Sequence, residues 1–286
     1  MVLHSFCRTC PGAGLPTNRS VQTVIMGCYG GNLRKKMMAT IAVYNLKGGV
    51  GKTTMAVNIA WLSAHASSRR TLLWDLDPQA ASTYLLGLEP KRKQGAAGLF
   101  TRDADPKALI QSTAIEGVDI LAADTSLRGL DRLLFELDKK KRLAKLIEQL
   151  SKDYDRIILD CPPGLTETTE QVMRAADIII VPVIPSALSQ RAFDEVVAFM
   201  DEKKGRQAAL LPVHSMVDLR RTLHREAVRL HDDWPIIPMS SVVEKMSAER
   251  SPLGAFAASS PPMKAYAKIW RAIENKLAQQ SKKANR

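Results

Sequence analysis

Long apolar runs, cysteines and aromatic side chains are all scarce in this chain of 286 residues, of which 5% are aromatic and four are cysteine. No run approaches the roughly 18 apolar residues that a membrane-spanning helix needs, so transmembrane association is not expected. The start, MVLHSFCRTCPGAGLPTNRS, lacks the continuous apolar segment of a secretory signal peptide. Four scattered cysteines are too few for a disulfide framework in a chain of this size, which favours a reducing, cytoplasmic location.

Acidic side chains are nearly absent from the two ends of the chain. Residues 1–40 carry five basic and no acidic side chains, and residues 264–286 carry seven basic side chains against Glu274 alone. The 223 residues between them have a net charge of +1, so nearly all of the formal charge of +12 lies at the ends. Such ends predict attraction to a polyanion, either nucleic acid or an anionic membrane surface, although basic solvated termini are common without such a partner.

Residues 1–37 differ in composition from the rest of the chain. They are rich in glycine, cysteine, threonine, serine and arginine, and only VQTVIM within them has a regular period. We interpret this segment as an N-terminal extension that is disordered or that precedes the native start at Met37 or Met38. Cys7 and Cys10 have the spacing of half a zinc site, but a structural zinc ion needs four ligands and few other candidates lie nearby, so metal binding is not expected here.

From residue 40 onward, strand-like and helix-like segments alternate. Nearly continuous apolar runs, such as TIAVYNL, RTLLWDLD, DRIILDCP and DIIIVPVIP, are separated by segments of helical period, such as TTMAVNIAWLSAHA and QRAFDEVVAFMDEKK. This alternation predicts an α/β fold with a mostly parallel sheet covered by helices on both faces. We therefore predict a single doubly wound domain over residues 38–280 and a basic tail at 281–286. Within the domain, one long helix is predicted at 127–150 and a final helix near 261–279.

The most informative stretch is NLKGGVGKTT, residues 45–54. Its second half ends like the common phosphate-binding pattern G-x-x-x-x-G-K-[ST], but Leu46 replaces the first glycine and a second lysine, Lys47, follows. The stretch lies between a predicted strand and a predicted helix, where backbone N–H groups and the helix N-terminus can surround a phosphate. Lys52 would neutralise the β- and γ-phosphates, and the Thr53 hydroxyl would ligate Mg²⁺. The residues predicted to bind nucleotide here are Gly48, Gly49, Val50, Gly51, Lys52, Thr53 and Thr54.

Carboxylates follow two other predicted strands. Asp75 and Asp77 end RTLLWDLD, and Asp160 ends DRIILD. Because ligands of an open parallel sheet bind at the carboxyl ends of its strands, these side chains are expected to converge beside the glycine-rich loop. Carboxylates at that position suit Mg²⁺ held largely through water, and one of them could orient an attacking water molecule. Acidic residues at strand ends also occur simply as helix caps.

Together these residues resemble a known family. KGGVGKTT, DLDPQ and IILDCPPG match the three motifs of the ParA/MinD group of deviant-Walker P-loop ATPases, over about residues 40–275. The resemblance implies a Mg²⁺-dependent ATPase whose slow hydrolysis of ATP is stimulated by a partner. It also implies that Lys47 reaches the ATP of the other subunit in a homodimer formed on ATP binding, as an arginine finger acts in trans. The roles that it implies are catalysis by Lys47, Lys52 and Asp77, with Asp77 orienting water, Mg²⁺ binding by Thr53, Asp75 and Asp160, and a switch segment at 161–164.

Within the group, DLDPQ favours the Soj-like ParA branch over MinD. The longer ParA type carries a helix-turn-helix domain before the loop, which some 40 irregular residues cannot form, so the short type is expected. The segment SMVDLR resembles that branch's adenine-side segment, with serine in place of threonine, and assigns Met216 and Asp218 to nucleotide binding. Pro262 and Met263 depart from the Gly-Ala that many members have before the last helix. The branch implies a nucleoid-associated, cytoplasmic ATPase that binds DNA non-specifically in its ATP form, positions a plasmid, chromosome or large protein assembly, and is activated by a ParB-like or cargo-adaptor protein. The candidate DNA contacts are Arg220, Arg221, Arg225 and Arg229 on one predicted helix and Lys264, Lys268, Arg271 and Lys276 on the last.

Three other functions are considered. A MinD-like membrane-associated positioning ATPase would lay the C-terminal amphipathic helix on anionic lipid. A metabolic P-loop ATP-dependent synthetase would need a pocket for a second substrate, which the sequence leaves open. A cluster carrier of the nitrogenase iron-protein type is not expected, because Cys161 is the only cysteine of the ATPase domain and one thiolate per subunit cannot supply four cluster ligands.

Overall fold

The computed structural model describes residues 38–89, 95–101, 105–136, 141–202 and 208–284. The predicted N-terminal extension, with Cys7 and Cys10, lies outside the described residues. Among the described residues, no helix is both long enough and apolar enough to cross a membrane.

An eight-stranded sheet forms the centre of the described domain. Its strand order is β3-β4-β2-β5-β1-β6-β7-β8, and every neighbouring pair is parallel except β3 with β4. The predicted α/β class with a mostly parallel sheet is therefore confirmed, with an antiparallel edge strand that the sequence pattern did not predict. The strands are β1 (Ala39–Val43), β2 (Thr71–Asp75), β3 (Ile110–Ser112), β4 (Val118–Leu121), β5 (Arg156–Asp160), β6 (Ile178–Val183), β7 (Ala209–Val217) and β8 (Ile236–Pro238).

Helices connect the strands and cover the sheet. The central strands β1, β2, β5 and β6 are buried along their whole length, as expected for a sheet packed on both faces. The α-helices are α1 (Lys52–Ser67), α2 (Ala81–Leu85), α3 (Gly98–Thr101), α4 (Pro106–Leu109), α5 (Leu130–Glu136), α6 (Arg142–Leu150), α7 (Glu167–Ala175), α8 (Ala187–Glu202), α9 (Thr222–Leu230), α10 (Ser241–Glu249), α11 (Leu253–Phe256) and α12 (Pro261–Ala284), and a 3₁₀ turn (Thr125–Gly129) precedes α5.

The single long helix predicted at 127–150 is wrong. The structure has a 3₁₀ turn and two separate helices there, and Lys141, which precedes α6, has a φ of −126° and a ψ of 15° that no α-helical residue adopts. Lys141 ends a run of three lysines and is exposed, so no apolar contact with the core holds it in a helical conformation. The helical period on either side of this charged run therefore belongs to two elements.

The last helix is longer than predicted. It begins at Pro261, a residue well suited to a first helical turn, and continues to Ala284, past the predicted start of the tail at residue 281. Tyr266, Ile269, Trp270 and Ile273 are at most 3% exposed, so the apolar stripe of α12 is a packing face of the domain.

Candidate nucleotide-binding site

The glycine-rich loop joins the end of β1 to the start of α1. Gly51 caps α1 with a φ of 89°, and a Cβ there would lie 3.3 Å from Ser215 Oγ, so both its backbone and its surroundings require glycine. In contrast, a Cβ at Gly48 or Gly49 would meet no heavy atom of the described part of the chain within 4 Å, so among these residues that side of the loop is open. No acidic residue occupies the first turn of α1, so the positive end of the helix dipole is not neutralised by its own side chains.

The two lysines of the loop occupy different environments. The Lys52 side chain is nearly buried, and its Nζ donates to the carbonyl oxygen of Lys47 at 3.0 Å. Burial lowers the pKa of Lys52, and the negative charge of Asp160 opposes that effect. Lys47 is half-buried and its Nζ donates to Ser189 Oγ on α8 at 3.3 Å. Lys52 therefore lies within the loop, while the Lys47 side chain reaches across to a neighbouring helix.

The strand-end carboxylates meet beside the loop. The register of β2 and β5 places Asp75 opposite Asp160, and the register of β1 and β5 places Val43 opposite Asp160. Asp75 is fully buried, and its oxygens accept from the Thr83 amide at 3.0 Å, the Thr83 hydroxyl at 2.9 Å and the Asp77 amide at 3.2 Å. Burial and the nearby Asp160 charge raise the pKa of Asp75 to about 8. The protein itself therefore satisfies this carboxyl group.

Asp160 differs from Asp75 because one of its oxygens lacks a partner. Its Oδ2 accepts from Ser82 Oγ at 2.7 Å, whereas its Oδ1 is buried and accepts no hydrogen bond from the residues that the structure describes. Burial raises the pKa of Asp160 to about 6, against the lowering effect of the Ser82 and Thr53 hydroxyls. A buried, unpartnered carboxylate oxygen in a native protein calls for an explanation, and a bound ion is one of the usual ones.

Asp77 and the switch segment complete this edge of the sheet. Asp77 Oδ1 accepts from the Gln79 amide at 2.9 Å, which fixes a turn before α2. Gly164, which has a φ of 93°, donates its N–H to the Leu46 carbonyl at 3.1 Å, and its own carbonyl accepts from the Tyr44 hydroxyl at 3.0 Å. The segment after Asp160 is thus bonded directly to the residue that precedes Lys47.

The predicted adenine-side residues lie at the end of β7: Met216 is within the strand, and Asp218 comes directly after it. Ser215 Oγ donates to the Val50 carbonyl at 2.8 Å, and Met216 has an unusual positive φ of 55°. Asp218 lies next along this segment, where the Arg220 guanidinium contacts both of its carboxylate oxygens at 2.8 and 2.9 Å and lowers the pKa of Asp218 to about 2. A Cβ at Gly51 would lie 3.4 Å from the Met216 methyl carbon, so Met216 lies against the loop, whereas Asp218 is turned towards Arg220.

Solved structures with this fold cover most of the chain. The crystal structure of cobyrinic acid a,c-diamide synthase from Mycobacterium smegmatis with bound ADP and magnesium superposes with a TM-score of 0.71 at 27% identity, covering 85% of this chain and 96% of that one. The cell division ATPase MinD of Pyrococcus furiosus superposes with a TM-score of 0.70, covering 84% and 99% of the two chains; its 22% identity shows a shared fold.

Curated sequences are also similar. Soj, the sporulation initiation inhibitor protein of Bacillus subtilis, is 37% identical over 145 residues, which are 50% of this chain and 57% of Soj. The chromosome partitioning protein ParA of Myxococcus xanthus is 35% identical over 145 residues, 50% of this chain and 51% of ParA. The matched part thus spans little more than half the length of these relatives. A family model described as an AAA domain matches residues 38–210.

The chain belongs to the ParA/MinD family of P-loop ATPases. Its membership confirms the resemblance carried by KGGVGKTT, DLDPQ and IILDCPPG. The individual site roles stay predictions, although the structure brings the loop, Asp75, Asp77 and Asp160 to one edge of the sheet.

Several candidate DNA contacts of this ParA/MinD chain are already engaged. Arg220 pairs with Asp218, Arg225 donates to the carbonyls of Leu219 and Arg220, and Lys276 Nζ donates to the Leu210 carbonyl at 3.0 Å. These contacts are structural, and they make the three side chains weaker candidates. Of the other candidates, Arg221 directly precedes α9, Arg229 lies on α9, and Lys264, Lys268 and Arg271 lie on α12; all five are exposed.

Sequence reasoning missed three polar residues of the site. On α2, the Ser82 hydroxyl donates to Asp160 and the Thr83 hydroxyl donates to Asp75. On α8, the Ser189 hydroxyl accepts a hydrogen bond from the Lys47 ammonium group. All three are buried. The only signal was the position of Ser82-Thr83 just after DLDPQ, inside an otherwise apolar helical segment.

Proposed function

We propose that this protein is a Mg²⁺-dependent ATPase that closes into a homodimer when it binds ATP, binds DNA non-specifically in that form and positions a cargo. The observation that carries the proposal is the unpartnered Oδ1 of Asp160, which lies next to an open glycine-rich loop with a lysine at its entrance. Membership in the ParA/MinD family supports the ATPase assignment, and the relatives named for partitioning support the cargo role.

Asp160 and Thr53 fit a divalent cation better than Asp75 does. The free oxygen of Asp160 and the Thr53 hydroxyl are hard oxygen donors of the kind that Mg²⁺ prefers. Within the described ranges no three His, Cys, Asp or Glu side chains form a complete metal site, so the remaining ligands would be water and phosphate oxygens. When bound there, the ion would neutralise charge on the β- and γ-phosphates.

The other residues of the site would bind and orient the nucleotide. The N–H groups at the start of α1 would donate to phosphate oxygens, and Lys52, held by the Lys47 carbonyl, would place its charge beside them. Asp77, fixed by the turn to Gln79, would orient the attacking water molecule. Lys47 would leave Ser189 and contact the nucleotide of the other subunit, which makes hydrolysis depend on two chains.

A matched pair of lysine variants tests the role of Lys47. Wild-type protein with a slowly hydrolysed ATP analogue should elute as a dimer in size-exclusion chromatography with light scattering. Lys47→Ala should bind the analogue and remain monomeric, whereas Lys145→Ala, at an exposed lysine on α6, should dimerise normally. Dimerisation of Lys47→Ala at the protein concentrations at which wild type dimerises would contradict the proposed role of Lys47 in the partner's site.

Asp77→Ala should dimerise and retain DNA but hydrolyse ATP at a small fraction of the wild-type rate.

The membrane alternative has little support from the last helix. Its apolar side chains, including Trp270 and Ile273, pack inside the domain and are at most 1% exposed, so they are not available to lipid. Its exposed side chains include Lys264, Lys268 and Arg271. A charged exposed face suits a phosphate backbone, and we therefore propose that it takes part in DNA binding.

A second candidate function is an ATP-dependent synthase. It is favoured by the 27% identity, over 85% of this chain, to the Mycobacterium smegmatis cobyrinic acid a,c-diamide synthase. Such an enzyme would hydrolyse ATP only slowly with or without DNA, and a carboxylate substrate together with an amide donor would accelerate turnover. If dimerisation and DNA retention both require ATP, the result would favour the positioning ATPase over the synthase.

A further inference from the structure

Helix α2 holds both buried carboxylates of the site. Ser82 Oγ donates to Asp160, and the amide and hydroxyl of Thr83 donate to Asp75. The helix has only five residues, a length that is not stable without tertiary contacts. Its N-cap residue, Ala80, has a φ of 54° and provides no side-chain cap. The position of α2 must therefore come from what packs against it.

Arg250 supplies such contacts at the C-terminal end of α2. Its Nε donates to the Tyr84 carbonyl at 3.2 Å, and its Nη2 donates to the Leu88 carbonyl at 3.5 Å. The guanidinium carbon lies 4.7 Å from the centroid of the Tyr84 ring, and Nη2 lies 3.6 Å from Glu89 Oε1. A cation beside the last carbonyls of a helix is favourable, and the combination of fork and stacking is specific to arginine.

The backbone of Arg250 indicates that its side chain is needed where it is. Arg250 ends α10 in the left-handed conformation, with a φ of 46° and a ψ of 48°. Residues other than glycine avoid that conformation, and glycine is the usual occupant of such a helix-ending position. A glycine would hold the backbone with less strain but could not contact Tyr84 and Leu88.

We propose that Arg250 is a positioning residue for the metal-binding end of the phosphate site, acting through α2. It fixes the C-terminal end of α2, α2 fixes Ser82, and Ser82 turns Asp160 so that Oδ1 remains available. The inference rests on the proposed function, because it assumes that Asp160 serves Mg²⁺. The proposal connects the C-terminal part of the chain to the phosphate site through the contact between Arg250 and Tyr84, which are separated by 166 positions in the sequence.

The test uses Arg250→Gly in the full-length chain, because glycine removes the side chain without straining the backbone. The dissociation constant of a fluorescent ATP analogue is measured with excess Mg²⁺ and with EDTA, and the ratio of the two gives the coupling between metal and nucleotide. Arg132→Ala serves as the control, since its side chain is 85% exposed and pairs only with Glu136 among the contacts seen here. Arg250→Lys, which keeps the charge but not the fork, should give an intermediate ratio.

The coupling ratio should fall by roughly three- to tenfold in Arg250→Gly, a range typical of residues linked through one network. Binding in EDTA should not change, because the glycine-rich loop is not touched. Ser82→Ala should reduce the ratio similarly, and the double variant should lose little more than either single one. An Arg250→Gly ratio equal to that of wild type would overturn the inference alone. A wild-type protein with no Mg²⁺-enhanced binding would overturn the inference and the proposed function together.

Hydrogen–deuterium exchange without nucleotide tests the structural step independently of ATP. The peptide that contains Ser82 and Thr83 should exchange at least several-fold faster in Arg250→Gly than in wild type, because α2 opens more often when its end is released. The same peptide in Arg132→Ala should exchange at the wild-type rate. Equal exchange in wild type and Arg250→Gly would show that Arg250 does not hold α2 and would overturn the inference.

Discussion

Asp160→Asn is expected to stabilise the nucleotide-free protein while it removes the response to Mg²⁺. Burial raises the pKa of Asp160 from 3.8 to about 6. A carboxyl group with a higher pKa in the folded chain contributes most to stability below about pH 4, and that contribution is lost as the pH rises to about 6. At about 1.4 kcal/mol for each pH unit between the two pKa values, the ionised group opposes folding at pH 7 by roughly 1 to 3 kcal/mol.

Asparagine retains the useful contact and removes the charge. Its oxygen can still accept from Ser82 Oγ, and a neutral amide replaces the unpartnered oxygen. Asp75, whose pKa the Asp160 charge helps to raise, loses its like-charged neighbour as well. The gain in stability from Asp160→Asn should therefore be largest near pH 7, where the wild-type Asp160 carboxylate is ionised and its charge acts on Asp75. The gain should be smaller at pH 5, where Asp160 is already mostly protonated.

Thermal unfolding by circular dichroism at pH 5 and pH 7, without nucleotide, measures this effect. A domain of this size gains roughly 2 to 4 °C in Tm for each kcal/mol of stability, so an increase of several degrees is expected at pH 7. Glu195→Gln removes the same charge from a side chain that is 54% exposed and should leave the Tm nearly unchanged. A lower Tm for Asp160→Asn at pH 7, or a gain that grows at pH 5, would refute the reasoning.

Two further predictions concern packing and DNA contacts. A Cβ at Gly254 would lie 2.4 Å from the ring of Trp61, so Gly254→Ala should cost about 1 to 3 kcal/mol in urea unfolding, whereas Gly48→Ala should change stability by much less. If Gly254→Ala is as stable as Gly48→Ala, then Gly254 does not lie against the Trp61 ring. Lys268→Ala should weaken ATP-dependent DNA binding and reduce the salt slope by roughly 0.9, the value for one phosphate contact. Lys276→Ala should leave that slope unchanged, because its ammonium group is bonded to Leu210; an equal effect of both would contradict this distinction.

The sheet and the phosphate loop could be predicted because both depend on short-range patterns. Apolar runs that alternate with helical segments predict a parallel sheet, and parallel strands end at one edge. That rule places Asp75 and Asp160 at the same edge, and the register of β2 and β5 shows that they lie directly opposite each other. The loop is similarly determined by its own glycines, since Gly51 adopts a φ of 89° that other residues avoid.

The features that could not be predicted from the sequence depend mostly on contacts between distant parts of the chain. Nothing near Ser82 in the sequence indicates that its hydroxyl meets Asp160, because that contact depends on how α2 packs against residues as distant in sequence as Arg250. The charge pattern also did not indicate that Lys276 Nζ donates to the Leu210 carbonyl on β7. In the sequence alone, Lys276 cannot be distinguished from an exposed lysine. The break before α6 was missed because helical period continues on both sides of it.

The central claim is an ATP-dependent switch that binds DNA, and one measurement tests it most directly. Protein from Met38 onward is applied to immobilised non-specific DNA without nucleotide, with ADP, with ATP and with a slowly hydrolysed ATP analogue, over a series of salt concentrations. We expect retention only with ATP or its analogue, and a steep loss of retention as salt increases. Dimerisation with the analogue but no nucleotide-dependent retention on DNA would contradict the account, and anionic liposomes would then be the next surface to test.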